Sequence, residues 1–173
     1  MDRLLPTLII GGVILAVFAL MLAGWRARRR RQSGLARPML APATLGAASL
    51  VVDGWYVATT LADQPLERIA VHGLGFRARV SAGVHPEGVV LAVRGQHAIL
   101  VEPASLRGAG RATWAIDRVV ERDGLVLIGW MLGETPVDTY LRLPQPGAAA
   151  ALVNSVQAIT PEPATTTAEG IAS

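Results

Sequence analysis

The sequence predicts a mainly β protein: one N-terminal transmembrane helix, then a curved antiparallel sheet of seven short strands closed at one end by a C-terminal α-helix. Three observations predict it. Residues 4–25, LLPTLIIGGVILAVFALMLAGW, carry no charge. Between residues 49 and 143, seven short runs alternate with period two or are rich in β-branched and aromatic residues, with turn residues between them. Residues 147–159 then switch to a helical period.

The anchor comes first. Its 22 residues rise about 33 Å as a helix, enough for a hydrocarbon core of about 30 Å. Pro6 falls in the first turn, where its missing N–H breaks no ladder bond, and Trp25 sits where an interfacial aromatic belongs. A cleaved signal peptide fits less well. The apolar stretch exceeds the usual ~7–15 residues, no A-x-A site precedes the arginines, and the positive charge follows the apolar core instead of leading it. Arg26, Arg28, Arg29, Arg30 and Arg31 come directly behind. Guanidinium groups resist translocation, so this flank stays inside. The expected location is the cell membrane, single-pass, with the N-terminus out and the domain in the cytoplasm. The five arginines are expected against anionic phospholipid headgroups, at about 1 kcal/mol each. Gly12, Ala16, Ala19 and Ala23 share one helix face, a small-residue stripe suited to close packing against another helix, including a second copy of this one.

Charge is divided unevenly along the chain. Six arginines over residues 26–37 supply +6, Asp2 and Arg3 cancel, and nine arginines against twelve acidic residues leave residues 38–173 at −3, which gives the net +3. A mildly acidic domain without a basic groove grips a phosphate backbone poorly, so nucleic acid is not an expected partner. The absence of cysteine excludes disulfides and thiolate metal sites. The expected layout is a transmembrane anchor over 1–25 and an arginine-rich segment and linker over 26–48, lifting the domain off the membrane. The domain follows over 49–159, and a disordered tail over 160–173.

The elements follow in order. SLVVDGWYVATTL (49–61) reads as a strand with a potential break at Asp53-Gly54. FRARVSAG (76–83) alternates, with Phe76, Ala78 and Val80 on one face and Arg77, Arg79 and Ser81 on the other. EGVVLAVRG (87–95) and HAILVEP (97–103) form a hairpin about Arg94-Gly95-Gln96. RATWAIDRVVERDGLVLIGWML (111–132) holds two strands joined through Arg122-Asp123-Gly124, and TPVDTYLRL (135–143) completes the seven. Leu152, Val156 and Ile159 then recur on one helical face, which must be buried against the sheet.

Seven strands and a capping helix are the order of the pleckstrin-homology (PH) superfold. The segments WYVATTLADQPLERIAVHGLGFRARV, GVVLAVRG, LVEPASL and DGLVLIGWMLGETPVDTYLR resemble the small membrane-anchored PH-like proteins of high-GC Gram-positive bacteria, over about residues 54–142 plus the anchor. The resemblance implies a PH-like seven-stranded antiparallel barrel capped by a C-terminal α-helix. Members often lie beside genes for pyrimidine and carbamoyl-phosphate synthesis. The resemblance implies no catalytic residues.

Several patterns compete as sites. GLGFRA from Gly73 has a dinucleotide-binding spacing, but a strand-like pattern follows where the pyrophosphate needs a helix N-terminus. Arg77 and Arg79 project from one strand face; with Arg68 in the preceding loop they form a candidate anionic-ligand face, like the basic pair of inositide-binding PH domains. Asp63 and Glu67 in the same loop oppose this, and a solvated strand face is the plainer account. His72, His85 and His97 lack metal-ligand spacing. Asp117, Glu121, Asp123, Glu134 and Asp138 fall near strand ends and turns, available to Arg111, Arg118 or Arg122 across strands. Trp55, Trp114 and Trp130 are expected in the core or at its rim. No catalytic, cofactor or metal set is expected. The expected function is a non-enzymatic interaction or scaffold module with a protein partner. The alternative is an accessory subunit of a transport system.

Overall fold

The computed structural model describes residues 4–111 and 125–161. The Asp123-Gly124 turn, Trp114, Asp117, Arg118, Glu121, Arg122 and the tail from 162 lie outside the described residues.

The first helix, α1 (Leu4–Arg31), runs through the apolar stretch and on through the arginines without a break. Its segment Thr7–Ala27 is long and apolar enough to cross a membrane and is not buried in the molecule. Leu8, Ile9, Val13, Phe18 and Leu20 are all exposed. The segment behind it does not stand clear of the domain as a linker would. Leu40 bridges Ile99, Leu100 N–H donates to Met39 O at 2.9 Å, and Ala41 N–H donates to Ala98 O at 2.8 Å. Residues 39–41 thus cover a sheet edge that would otherwise present unpaired backbone groups.

Among the described residues eight strands follow: β1 (Leu50–Leu61), β2 (Gln64–Arg68), β3 (Ala78–His85), β4 (Gly88–Val93), β5 (Ile99–Val101), β6 (Leu106–Arg111), β7 (Leu125–Leu132) and β8 (Thr135–Arg142). They form one open antiparallel sheet in the order β5-β4-β3-β1-β8-β7-β6, with β2 paired to β1 off this path. Six of the seven expected strands are among these eight; the expected strand over 111–122 lies outside the described residues beyond Arg111, and β2 and β6 go beyond the expectation because their sequences carry little alternation. QPLER contains a proline at the sheet margin, and LRGAGR pairs with β7 while burying Leu106 as its one large apolar side chain.

Inward residues alternate as the pleat requires. Val80, Ala82 and Val84 on β3, Val89, Leu91 and Val93 on β4, Val126, Ile128, Trp130 and Leu132 on β7, and Val137 and Leu141 on β8 are all buried. The last helix, α2 (Ala148–Ile159), packs against β6, β1, β7 and β3. It buries Ala149, Leu152 and Val156, with Ile159 partly buried at its end. Leu152 and Val156 have no exposed surface, and each contributes about 1.5–3 kcal/mol of burial. Phe76 departs from the expected pattern: it precedes β3 and is 64% exposed.

The strand β1 is continuous through Asp53-Gly54. Glycine is required at position 54 by the close approach of β8: a Cβ there would collide with Arg142 O and sit 2.7 Å from Leu143 Cδ2. A bulge follows. Tyr56 pairs with Leu141 but Ala58 pairs with Tyr140, so Val57 is an extra residue against β8. The bulge reverses the face on which later residues project. Tyr56 and Thr59, three apart, consequently both point into the core.

That reversal assembles a buried polar chain. Trp130 Nε1–H donates to Thr139 Oγ1 at 2.9 Å, Thr139 and Thr59 hydroxyls meet at 2.7 Å, Thr59 and Tyr56 hydroxyls meet at 2.6 Å, and Tyr56 O–H donates to Leu74 O at 2.8 Å. Only one proton arrangement satisfies every bond. A carbonyl accepts only, so the Tyr56 proton goes to Leu74; Thr59 must then donate to Tyr56, and Thr139 to Thr59. Burial pushes the Tyr56 hydroxyl far above its ordinary pKa, so it keeps the proton the chain needs.

Candidate functional site

The polar chain ends on the loop between β2 and β3, and this loop is bonded to the residues that follow α1. Thr59 N–H and Tyr56 O–H both donate to Leu74 O. His72 and Gly73 take positive φ of 55° and 78°, which turns the chain sharply. The GLGFRA motif is therefore a turn leading into β3, and no helix begins there, so the dinucleotide reading lacks its required context. Gln32, one residue beyond α1, clamps the loop's start with both ends of its amide: Nε2–H donates to Arg68 O at 2.9 Å, and Oε1 accepts from Ala70 N–H at 2.6 Å. His72 Nε2 adds a bond to Leu35 O at 3.0 Å. A side-chain amide bonded twice to one backbone segment imitates a strand pair and fixes the orientation of what it joins.

On the outer face of the sheet, Trp55 pairs across strands with Arg79 on one side and Arg142 on the other. The Arg79 guanidinium carbon lies 4.3 Å from the indole centroid and that of Arg77 lies 5.3 Å away. Stacking of this kind contributes about 0.5–1 kcal/mol at an exposed site. Among the described residues no carboxylate pairs with Arg77, Arg79 or Arg142. Beside them lies a shallow depression of about 550 Å³, lined by Asp53, Arg79, Ser81, Arg94 and Gln96. Arg77 and Arg79 thus share one aromatic platform. Arg68 does not share it: it pairs with Thr60, five residues along β1 from Trp55, a distance of about 16 Å. Arg142 takes the third position, a role invisible without the strand register.

The remaining expected residues are scattered. His85 Nδ1–H donates to Gly46 O at 2.8 Å, and Gly46 N–H donates to Glu87 Oε1 at 2.9 Å, which holds the Glu87 carboxyl below its usual range. His72 and His97 do come together, with Arg37 and Leu40, around a cavity of about 470 Å³; their sequence separation concealed this. Among the described residues no three histidines or acids form a metal-binding group. Asp138 points outward from β8 over Gly129 yet is only 9% exposed, and accepts from Asp63 N–H at a long 3.4 Å. Burial raises its carboxyl pKa despite that bond and the nearby Arg107. Arg26, Arg30 and Arg31 are exposed at the end of α1, and the side chains of Arg28 and Arg29 lie outside the described residues. Gly12, Ala16, Ala19 and Ala23 are exposed on α1, and Gly12 faces open space.

An open antiparallel sheet with a C-terminal helix packed against it is consistent with a PH-like domain. Residues 35–157 match the family described as bacterial PH domain-like, and the chain belongs to it. The match begins at Leu35, the residue whose carbonyl bonds His72. A search of curated proteins finds no match to the chain.

Proposed function

We propose that the chain is a single-pass membrane protein, N-terminus out, whose cytoplasmic PH-like domain acts without catalysis to hold a protein partner at the membrane. The observation that carries this reading is the Gln32 clamp. Gln32, the residue after α1, is bonded at both ends of its amide to the segment between β2 and β3, as suits an apolar helix that stays with its domain. Orientation follows from the arginines behind the span. Arg77, Arg79 and Arg142 around Trp55, without a carboxylate partner among the described residues, suit an acidic segment of a partner, and anchoring raises the local concentration at which the two meet.

Fusing a reporter that works only outside the cell behind Ser173 tests the orientation. No signal is expected there, with signal from the same reporter placed ahead of Met1; the reverse pattern overturns the reading. The bare span and the small-residue stripe favour a second reading, an accessory subunit of a transport system whose helices cover the stripe. Replacing the anchor by an unrelated single span separates the two: a recruiting domain tolerates the exchange, and a transport subunit does not.

A further inference from the structure

We propose that the cleft between α1 and the β1–β2 hairpin binds the headgroup of a zwitterionic phospholipid, one carrying an ammonium group beyond its phosphate. The proposal rests on the anchored reading above. The cleft has a volume of about 470 Å³ and is lined by Gly24, Ala27, Arg31, Leu35, Leu61 and Glu67, with Gln32 at its back. Gly24, Ala27 and Arg31 share one face of α1 and span about 10 Å along the helix axis. The apolar span ends at Ala27. Gly24 and Ala27 therefore lie at the level where acyl chains meet glycerol, and Arg31 at the level of the phosphates.

Charge selects the ligand class. Arg31 and Glu67 have opposite sign, line one cleft, and form no ion pair with each other or with any other described residue. Two opposite charges that face a common space without closing on each other match a molecule that carries both. The phosphate takes the Arg31 guanidinium, a geometry that supports two parallel hydrogen bonds. The ammonium takes the Glu67 carboxylate. An anionic headgroup without an ammonium would satisfy Arg31 and place its charge against Glu67. Leu35 and Leu61 supply apolar parts of the cleft wall, and Gly24 leaves the floor open, with nothing within 4 Å of where a Cβ would stand. On the same hairpin, Leu66 is 75% exposed, costly in water and suited to a bilayer interface. The Gln32 clamp fixes the hairpin beside the helix, so the cleft has a defined shape.

The test is native mass spectrometry of the full chain, released from bilayers made of equal parts phosphatidylethanolamine and phosphatidylglycerol. The wild-type chain is expected to retain phosphatidylethanolamine over phosphatidylglycerol by on the order of five-fold. Glu67→Gln, an exposed isosteric change, is expected to abolish that preference. Gly24→Leu, which suits an apolar helix and fills the floor, is expected to remove the bound lipid of either kind. Retention of both lipids equally by the wild type, or an unchanged preference in Glu67→Gln, overturns the proposal and leaves the anchored reading intact. Alkaline carbonate extraction of cell membranes is the separate check: a chain washed off by it overturns the anchored reading, and this inference with it.

Discussion

The polar residues on the inner face of the sheet and those on its outer face obey opposite rules. Inside, Trp130, Thr139, Thr59 and Tyr56 form one directed chain ending on Leu74 O, and every donor and acceptor is used. Outside, Arg77, Arg79 and Arg142 surround Trp55 with no carboxylate partner among the described residues. A neutral network in a low-dielectric interior has to be complete, because each missing bond exposes a partner to the full cost of desolvation. Charges in water carry no such requirement and remain available to a ligand. The difference separates groups that hold this protein's shape from groups free to meet something else.

Breaking the inner chain at its middle should have the largest effect. Thr139→Val preserves volume and strand preference but leaves Trp130 Nε1–H without an acceptor and the Thr59 hydroxyl without a donor. A loss of about 2–3 kcal/mol is expected, measured as a lower thermal unfolding midpoint of the full chain in detergent. A loss below about 0.5 kcal/mol, within the range of an ordinary surface change, would mean that the chain is replaceable by simple packing. Because the polar chain ends on the loop that Gln32 clamps, amide exchange at Ala70, whose N–H is held by Gln32, should quicken in this variant as well.

Asp138 lies between the two regimes. It faces outward, yet it is nearly buried, and its carboxyl pKa is raised above the ordinary 3.8 chiefly by lost hydration. From pH 3.8 up to that raised value the folded protein binds more protons than the unfolded chain, so this group's contribution falls as pH rises through the window. Asp138→Asn keeps an acceptor for Asp63 N–H and removes the charge. It is expected to be more stable than the wild type at neutral pH, with the advantage shrinking as the pH falls toward 3.8. An advantage that grows with acidity would show the carboxylate to be stabilising, as an ion pair with Arg107 would make it.

The sequence made the inner apolar faces legible because alternation is a local pattern: β3, β4, β7, β8 and the buried face of α2 fall where period two and period 3.6 put them. The polar chain was not legible. Tyr56 and Thr59 are three apart, which in a regular strand places them on opposite faces, and only the bulge at Val57 brings them together. A bulge is set by pairing with a strand some 80 residues away, and no nearby residue announces it. The strands β2 and β6 escaped for a related reason, since their pairing uses backbone groups common to all residues. Of the outer face, Arg77 and Arg79 were legible from their spacing, whereas Arg142 and the exclusion of Arg68 depended on register. The segment at 39–41 read as linker because two prolines and no period describe a linker and an edge-covering strand equally well.

The smallest effect on stability should come from the outer face. The double variant Arg77→Gln, Arg79→Gln removes two guanidiniums from the Trp55 ring and breaks no ion pair or buried hydrogen bond. The stability loss should stay below about 1 kcal/mol, the size of exposed stacking. If these arginines serve recognition, proteins captured with the full chain from membranes should be lost in the double variant and kept in Thr139→Val at a temperature where that variant is still folded. If they serve the fold instead, by shielding Trp55, the double variant should approach the loss expected of Thr139→Val, and capture should fall in proportion to the unfolded fraction in both. The ratio of binding loss to stability loss therefore decides between the two roles. It should be large for the outer arginines and near unity for the inner chain.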